Sequence, residues 1–215
     1  MNTAAPWHLT GRGFILMYRF QHSFIRESCF LPEEWMLKKW SGMGYVMLVD
    51  YLESPVGPYK ELLVIPGKSN FGGSRHGTIT KIYVDSEESM NSGRSNWGIP
   101  KELTEFSWTR EGKQHEIRIG GDQAWMEIVL EPGTVPFPVD TRLLPLHLYQ
   151  ELDGKVFKVT PLGKGTGHFT LIKGIDVNPD FFPDLDLVEP MVAIYVDPFR
   201  LTFPVPEIKP FIGNK

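Results

Sequence analysis

Ser92-Gly93-Arg94-Ser95-Asn96-Trp97-Gly98-Ile99-Pro100-Lys101-Glu102-Leu103 decides how this chain is read, together with the β-rich run Thr78-Ile79-Thr80-Lys81-Ile82-Tyr83-Val84-Asp85 ahead of it. The order predicts a strand, a polar loop and a short helix opened by Pro100, whose fixed φ and missing N–H suit a first turn. Glu102 and Glu105 would then sit near the positive end of the helix dipole. Lys101 breaks this pattern. A cation in a first turn is mildly unfavourable, and Trp97, Ile99, Leu103 and Phe106 surround it in sequence with apolar bulk. Such a lysine either snorkels to water or is held where its charge is disfavoured. In the second case the ammonium gives up its proton more easily, and the neutral amine can attack a carbonyl to form a Schiff base.

Outward from this stretch the pattern is mostly β. Residues 1–10 lack periodicity and are expected as an arm packed on the domain or on a neighbour. Gly13 to Phe20 is a buried strand with Arg12 at its mouth. Leu31 to Trp40 carries proline and acids at its start and lysines at its end, the arrangement of a helix. Tyr45 to Tyr51 and Tyr59 to Ile65 read as strands, and in the second Tyr59, Glu61 and Leu63 point one way while Lys60, Leu62 and Val64 point the other. Pro66 to Gly77 is expected as a surface loop. Phe106–Trp108, His115–Ile119 and Ala124–Leu130 follow as an antiparallel meander, Val135 to Leu148 as irregular chain, Gly163 to Gly167 as a turn, Asp176 to Pro190 as a surface excursion, and Met191 to Phe203 as a last strand or pair of strands. The sum is roughly nine or ten strands with one or two short helices.

The residues around Lys101 resemble the acetoacetate decarboxylase family. That family carries Gly-Arg, five intervening residues and Pro-Lys, as in Gly93-Arg94 and Pro100-Lys101, after a strand ending in Asp, as at Asp85. Its active-site arginine is similar to Arg12 in Gly11-Arg12-Gly13-Phe14-Ile15, and its active-site glutamate to Glu61 in Gly57-Pro58-Tyr59-Lys60-Glu61. The resemblance implies a mainly β fold, an antiparallel sheet curved into a barrel or cone with a few short helices and with the lysine inside it. It implies a Schiff-base lyase that decarboxylates a β-keto acid without a cofactor. Lys101 would be the nucleophile, Arg12 the carboxylate anchor, Glu61 the group that orients or shuttles a proton, and Trp97, Asn96 and Tyr59 the substrate contacts. Glu102 and, by spacing, Val46 stand where acetoacetate-specific enzymes have a second lysine and a second glutamate. With Glu102 beside Lys101 in sequence, activation falls mainly to burial. The departures also leave open aldolase or dehydratase chemistry on a larger keto acid, or a barrel that binds a small molecule without turnover. Arg94 is expected to bond the carbonyls of its own loop.

Composition excludes other classes. The 215 residues carry a formal charge of -4 with 22 basic residues dispersed along the chain, which gives no footprint for nucleic acid. Histidines at 8, 22, 76, 115, 147 and 168 have no metal-ligand spacing, so no metal is expected. Gly163-Lys164-Gly165-Thr166-Gly167 lacks the phosphate-loop pattern. The lone Cys29 makes no intrachain disulfide, and no apolar run approaches the roughly 20 residues that span a bilayer. The expectation is one cytoplasmic domain over 1–215 that takes a small-molecule keto acid, contacts neither nucleic acid nor membrane, and forms a homo-oligomer.

Overall fold

The computed structural model describes residues 2–143 and 145–211. In chain order its elements are β1 (Trp7–Tyr18), α1 (His22–Ser28), β2 (Gly44–Glu53), β3 (Tyr59–Ile65), β4 (Lys68–Phe71), β5 (Ser74–Gly77), β6 (Lys81–Val84), α2 (Glu87–Trp97), β7 (Lys101–Leu103), β8 (Phe106–Glu111), β9 (Gln114–Ile119), β10 (Met126–Asp140), β11 (Leu148–Leu152), β12 (Lys155–Val159), β13 (Leu162–Val177), β14 (Val192–Phe203) and β15 (Glu207–Pro210). Ten strands form one sheet in the order β7-β6-β3-β2-β1-β14-β13-β10-β9-β8, and five form a second in the order β15-β12-β11-β5-β4. Neighbours run antiparallel except β6 with β7 and β5 with β11.

Side chains alternate across a strand, so the large sheet has two apolar faces. On one, Phe14, Leu16, Val46, Leu48, Leu62 and Val64 join Ile117, Ile128 and Leu130 in a single core. Phe14 of β1 stacks on Trp108 of β8 at 5.8 Å although four strands lie between them, and Tyr83 of β6 meets Trp125 at 4.8 Å. The sheet therefore curls around this face into a half-barrel. On the other face Trp7, Leu9, Val49, Tyr59, Leu63, Ile65 and Ile82 form a second core, covered by Trp97 at the end of α2 and by Leu148 and Val159 of the small sheet.

The helix lies ahead of Pro100, where a polar loop was expected. Ser86 caps it by accepting from the Ser89 N–H, and Glu87 and Glu88 occupy its first turn. Gly98 ends it in the left-handed region at φ 64° with its N–H on the Arg94 carbonyl, a conformation other residues reach only with strain. Proline disfavours helix at the residue before it, so Ile99-Pro100 prevents a restart, and Lys101 opens a strand beside β6. Parallel neighbours need a crossover, and α2 supplies it.

Other expectations shift for similar reasons. The arm is short, because Trp7 and Leu9 are buried in β1, and Thr3 is tied to α2 by Ser92 and Asn96. Leu31 to Trp40 forms only a 3-10 turn at Glu33–Trp35, yet Leu31, Trp35 and Trp40 are all buried; the true α-helix here is α1. The Pro66 to Gly77 loop is the β4–β5 hairpin, which sinks Phe71 into the core. The expected turn at Gly163 to Gly167 lies inside the uninterrupted β13, paired to β10 on one side and β14 on the other. Residues 135–140 continue β10. Prolines at 132, 136 and 138 are tolerated there because β9 pairs with β10 only as far as Leu130, leaving that edge open. The Asp176 to Pro190 excursion returns Phe182 and Leu185 to the half-barrel core.

Candidate active site

Glu61 sits on the middle of β3 with Tyr59 and Leu63 on the same face, as the period of two requires. Its neighbour across β2 is Val49, and Tyr51 follows two residues on; the Tyr51 hydroxyl donates to Glu61 Oε1 at 3.3 Å. Lys101 is level with Ile82 in the adjoining strand, so its side chain enters the same space. Nζ lies 2.8 Å from Glu61 Oε2, donates to Ser89 Oγ at 3.0 Å, and stands 5.0 Å from the centre of the Tyr59 ring. The side chains of Lys101 and Glu61 are only 4% and 6% exposed. A buried pair of this kind recovers its desolvation cost only when the remaining donors and acceptors are also satisfied, and here Tyr51 and Ser89 do that.

Helix α2 shapes the amine's bed. Ser89 and Gly93 are one turn apart on its buried face. A Cβ on Gly93 would lie 2.8 Å from both Cδ and Cε of Lys101, so only a glycine lets the lysine stem lie flat on the helix. Arg94, the next residue and exposed, donates from Nε to the Lys101 carbonyl at 2.8 Å, tying the helix end to β7 as a structural residue. Glu102 faces away and pairs with Lys81 at 2.7 Å, so sequence adjacency does not put its charge beside the amine.

Around this cluster is a cavity of about 180 Å³ whose walls are almost wholly apolar, among them Trp7, Ile15, Met47, Leu63, Trp97 and Leu148. Burial first, and the charge of Glu61 second, holds the Tyr51 and Tyr59 hydroxyls well above the ordinary phenol range, so both stay protonated donors.

The structure thus brings together Lys101, Glu61, Tyr59 and Trp97. Arg12 is elsewhere. It lies mid-strand, with the parity of Phe14 and Leu16, and its Nε and a terminal nitrogen bond Asp50 Oδ2 at 3.0 and 2.9 Å on the half-barrel side of the sheet. Asn96 is absent from the cavity wall too; its amide donates to the Thr3 carbonyl at 2.7 Å. Val46 is buried in the half-barrel core, away from Lys101. Lys101 itself lies outside the curl, between the large sheet's other face, α2 and the small sheet. Tyr51 and Ser89 were missed by sequence reasoning, although the Ser86-Glu87-Glu88 start and the Gly98-Ile99-Pro100 stop mark the helix that carries Ser89.

The acetoacetate decarboxylase (ADC) family profile matches residues 2–132, which include β3, α2 and β7. The chain belongs to the acetoacetate decarboxylase family. Protein NEOXANTHIN-DEFICIENT 1 of Arabidopsis thaliana is 28% identical over 104 residues, covering 47% of this chain and 36% of that protein. Its counterpart of the same name in Oryza sativa subsp. japonica is 29% identical over 106 residues, covering 48% and 34%. The matched stretch spans about a third of the length of these plant proteins. Among solved structures, acetoacetate decarboxylase from Legionella pneumophila subsp. pneumophila str. Philadelphia 1 superposes with a TM-score of 0.68 at 16% identity, covering 97% of this chain and 90% of that one. The enduracididine biosynthesis enzyme MppR, complexed with the condensation product of pyruvate and imidazole 4-carboxaldehyde, gives 0.63 at 15% identity, covering 96% and 90%. These structures share the fold. Among the described residues no helix is long and apolar enough to cross a membrane.

Proposed function

We propose that this protein is a Schiff-base lyase that decarboxylates a β-keto acid through Lys101. The observation that supports this is the geometry of one amine: Nζ is buried in an apolar cavity, 2.8 Å from a carboxylate that can take its proton. For attack the amine must hand a proton to Glu61 and keep its lone pair. The amine adds to the ketone carbon and water leaves, giving an iminium. The bond from the α-carbon to the carboxylate then breaks; its electron pair enters the iminium, and carbon dioxide and an enamine result. Glu61 is placed to return a proton to the enamine carbon, and hydrolysis frees the ketone. Tyr51 and Tyr59, kept as phenols, donate toward the carbonyl oxygen as it leaves. The lysine is itself the electron sink, and the proposed chemistry calls on no organic cofactor.

Borohydride reduction in the presence of a β-keto acid should fix ligand mass on Lys101, found by peptide mass spectrometry, with Lys101→Met as the blank. An unmodified lysine across β-keto acids and their ketones overturns the covalent mechanism and leaves a binding barrel. A second reading, condensation or dehydration of a larger keto acid, is supported by the shared fold of the neighbour complexed with a pyruvate condensation product and by the place of Arg12 on the other face of the sheet from the amine. Release of water or a new carbon–carbon bond without carbon dioxide would select it.

A further inference from the structure

The cavity carries more information than the amine at its edge. Along β3 its wall runs from Tyr59 and Glu61 through Leu63 to Ile65. At about 3.3 Å per residue, Ile65 lies roughly 13 Å along the strand from Glu61. Met47 faces Leu63 across the pair, and Leu148 of the small sheet closes the opposite side. Beyond Lys101, Glu61 and the two tyrosines this length offers mainly aliphatic and aromatic surface, with Thr141 and the exposed Lys164 as the other polar residues of the wall, and Arg12 is on the other face of the sheet. Acetoacetate, with one methyl group beyond its ketone, would leave that surface bare. A cavity of roughly 150 Å³ takes up a benzene, so the 180 Å³ here suits an apolar body of about six carbons.

We propose that the substrate is a 3-oxo acid with an apolar tail of about four to six carbons, its ketone at Lys101 and its tail laid along β3 past Leu63 and Met47 toward Ile65. The carboxylate stays at the polar end, where the iminium formed on Lys101 is its counter-charge until it leaves. This inference rests on the Schiff-base reading for the reaction, while the tail site stands on the cavity alone. The products are carbon dioxide and a methyl ketone one carbon shorter than the acid.

The test is kcat/KM, read as carbon dioxide release, for straight-chain 3-oxo acids from acetoacetate upward. Each added methylene should raise it about fourfold, so 3-oxooctanoate, four methylenes longer, should exceed acetoacetate roughly 250-fold before the series turns down. Met47→Trp should move the optimum to shorter tails and Met47→Ala to longer ones. A series that is flat or falls from acetoacetate onward overturns the proposal. If no acid is turned over and none is trapped by borohydride, the Schiff-base reading has failed, and the tail is then tested separately. Methyl ketones of increasing length are titrated into Lys101→Met and followed by the fluorescence of Trp7 and Trp97. Binding that tightens about fourfold per methylene sustains the apolar site, and binding indifferent to length overturns it.

Discussion

Replacing Gly93 with alanine should cost this protein its chemistry and leave its fold intact. The added Cβ would lie 2.8 Å from Lys101 Cδ and Cε, whereas nonbonded carbons settle at about 3.5–4.0 Å, so the lysine stem has to withdraw by roughly 0.7–1.2 Å. Nζ moves with it, and its 2.8 Å contact with Glu61 and 3.0 Å bond to Ser89 stretch beyond hydrogen-bond range. A displacement near 1 Å in a reacting group costs on the order of 100-fold in rate. Against this, alanine within α2 gains up to about 1 kcal/mol over glycine in helix propensity, offsetting the crowding. The expected outcome is a melting temperature within a few degrees of the parent and a borohydride-trapping rate about 100-fold lower. Asn91→Ala, on the exposed side of the same helix, is the control for helix propensity and should trap at the parental rate. A Gly93→Ala protein that forms the adduct as fast as the parent refutes the packing argument, because the amine would not depend on that surface.

Three further outcomes are expected. In a denaturation cycle, Glu61→Leu and Lys101→Met should each cost about 3–5 kcal/mol by stranding the other charge, and the double variant should recover most of the loss; additive losses would mean the two groups do not form a buried pair. His115 is 1% exposed, and burial first, with Arg110 and Arg12 after it, lowers its pKa to about 4. Between pH 4 and about 6.5 the unfolded chain therefore binds the proton that the fold excludes, so stability is full above 6.5 and falls by up to about 3 kcal/mol as pH drops through 4. Urea midpoints of the parent and His115→Gln should diverge across that window, and parallel profiles would contradict the assignment. Arg12→Gln should cost about 1 kcal/mol through the loss of Asp50's partner and leave adduct formation at Lys101 unchanged; loss of trapping in a folded variant would bring Arg12 back to the substrate.

Much of this site was legible because strands write their faces in steps of two. The reading of Tyr59, Glu61 and Leu63 as one face holds in β3, and Val46 and Leu48 part from Met47 and Val49 as the alternation requires. The same rule, followed further along β1, shows why Arg12 lies elsewhere: it shares parity with Phe14 and Leu16, which fill the half-barrel, while Leu9 and Ile15 face the cavity. A motif places a residue in sequence, but parity places it on a face. The helix was misplaced because Pro100 was weighed as a start, although Ser86, two acids and Gly98 bracket a complete helix before it. Strand pairing between distant segments was not readable at all. The prolines of β10 and the glycines of β13 are turn formers by composition, and it is pairing that holds them extended, the prolines against β13 alone and the glycines between β10 and β14.

The position of the amine follows from the topology more than from any one residue. A lysine at the start of a short edge strand would ordinarily reach solvent, since its stem is long and its charge is costly to bury. Here β7 is parallel to β6, so the chain must cross over between them, and the crossover helix is laid over the face to which Lys101 points. Ser89 and Gly93 on that helix meet the lysine from above, Glu61 meets it from two strands away, and the small sheet closes the remaining side. Covering one edge of the large sheet and drying one amine are thus a single structural event. Loosening α2, by removing its Ser86 cap or its Gly98 stop, should expose Nζ before it unfolds the strands beneath.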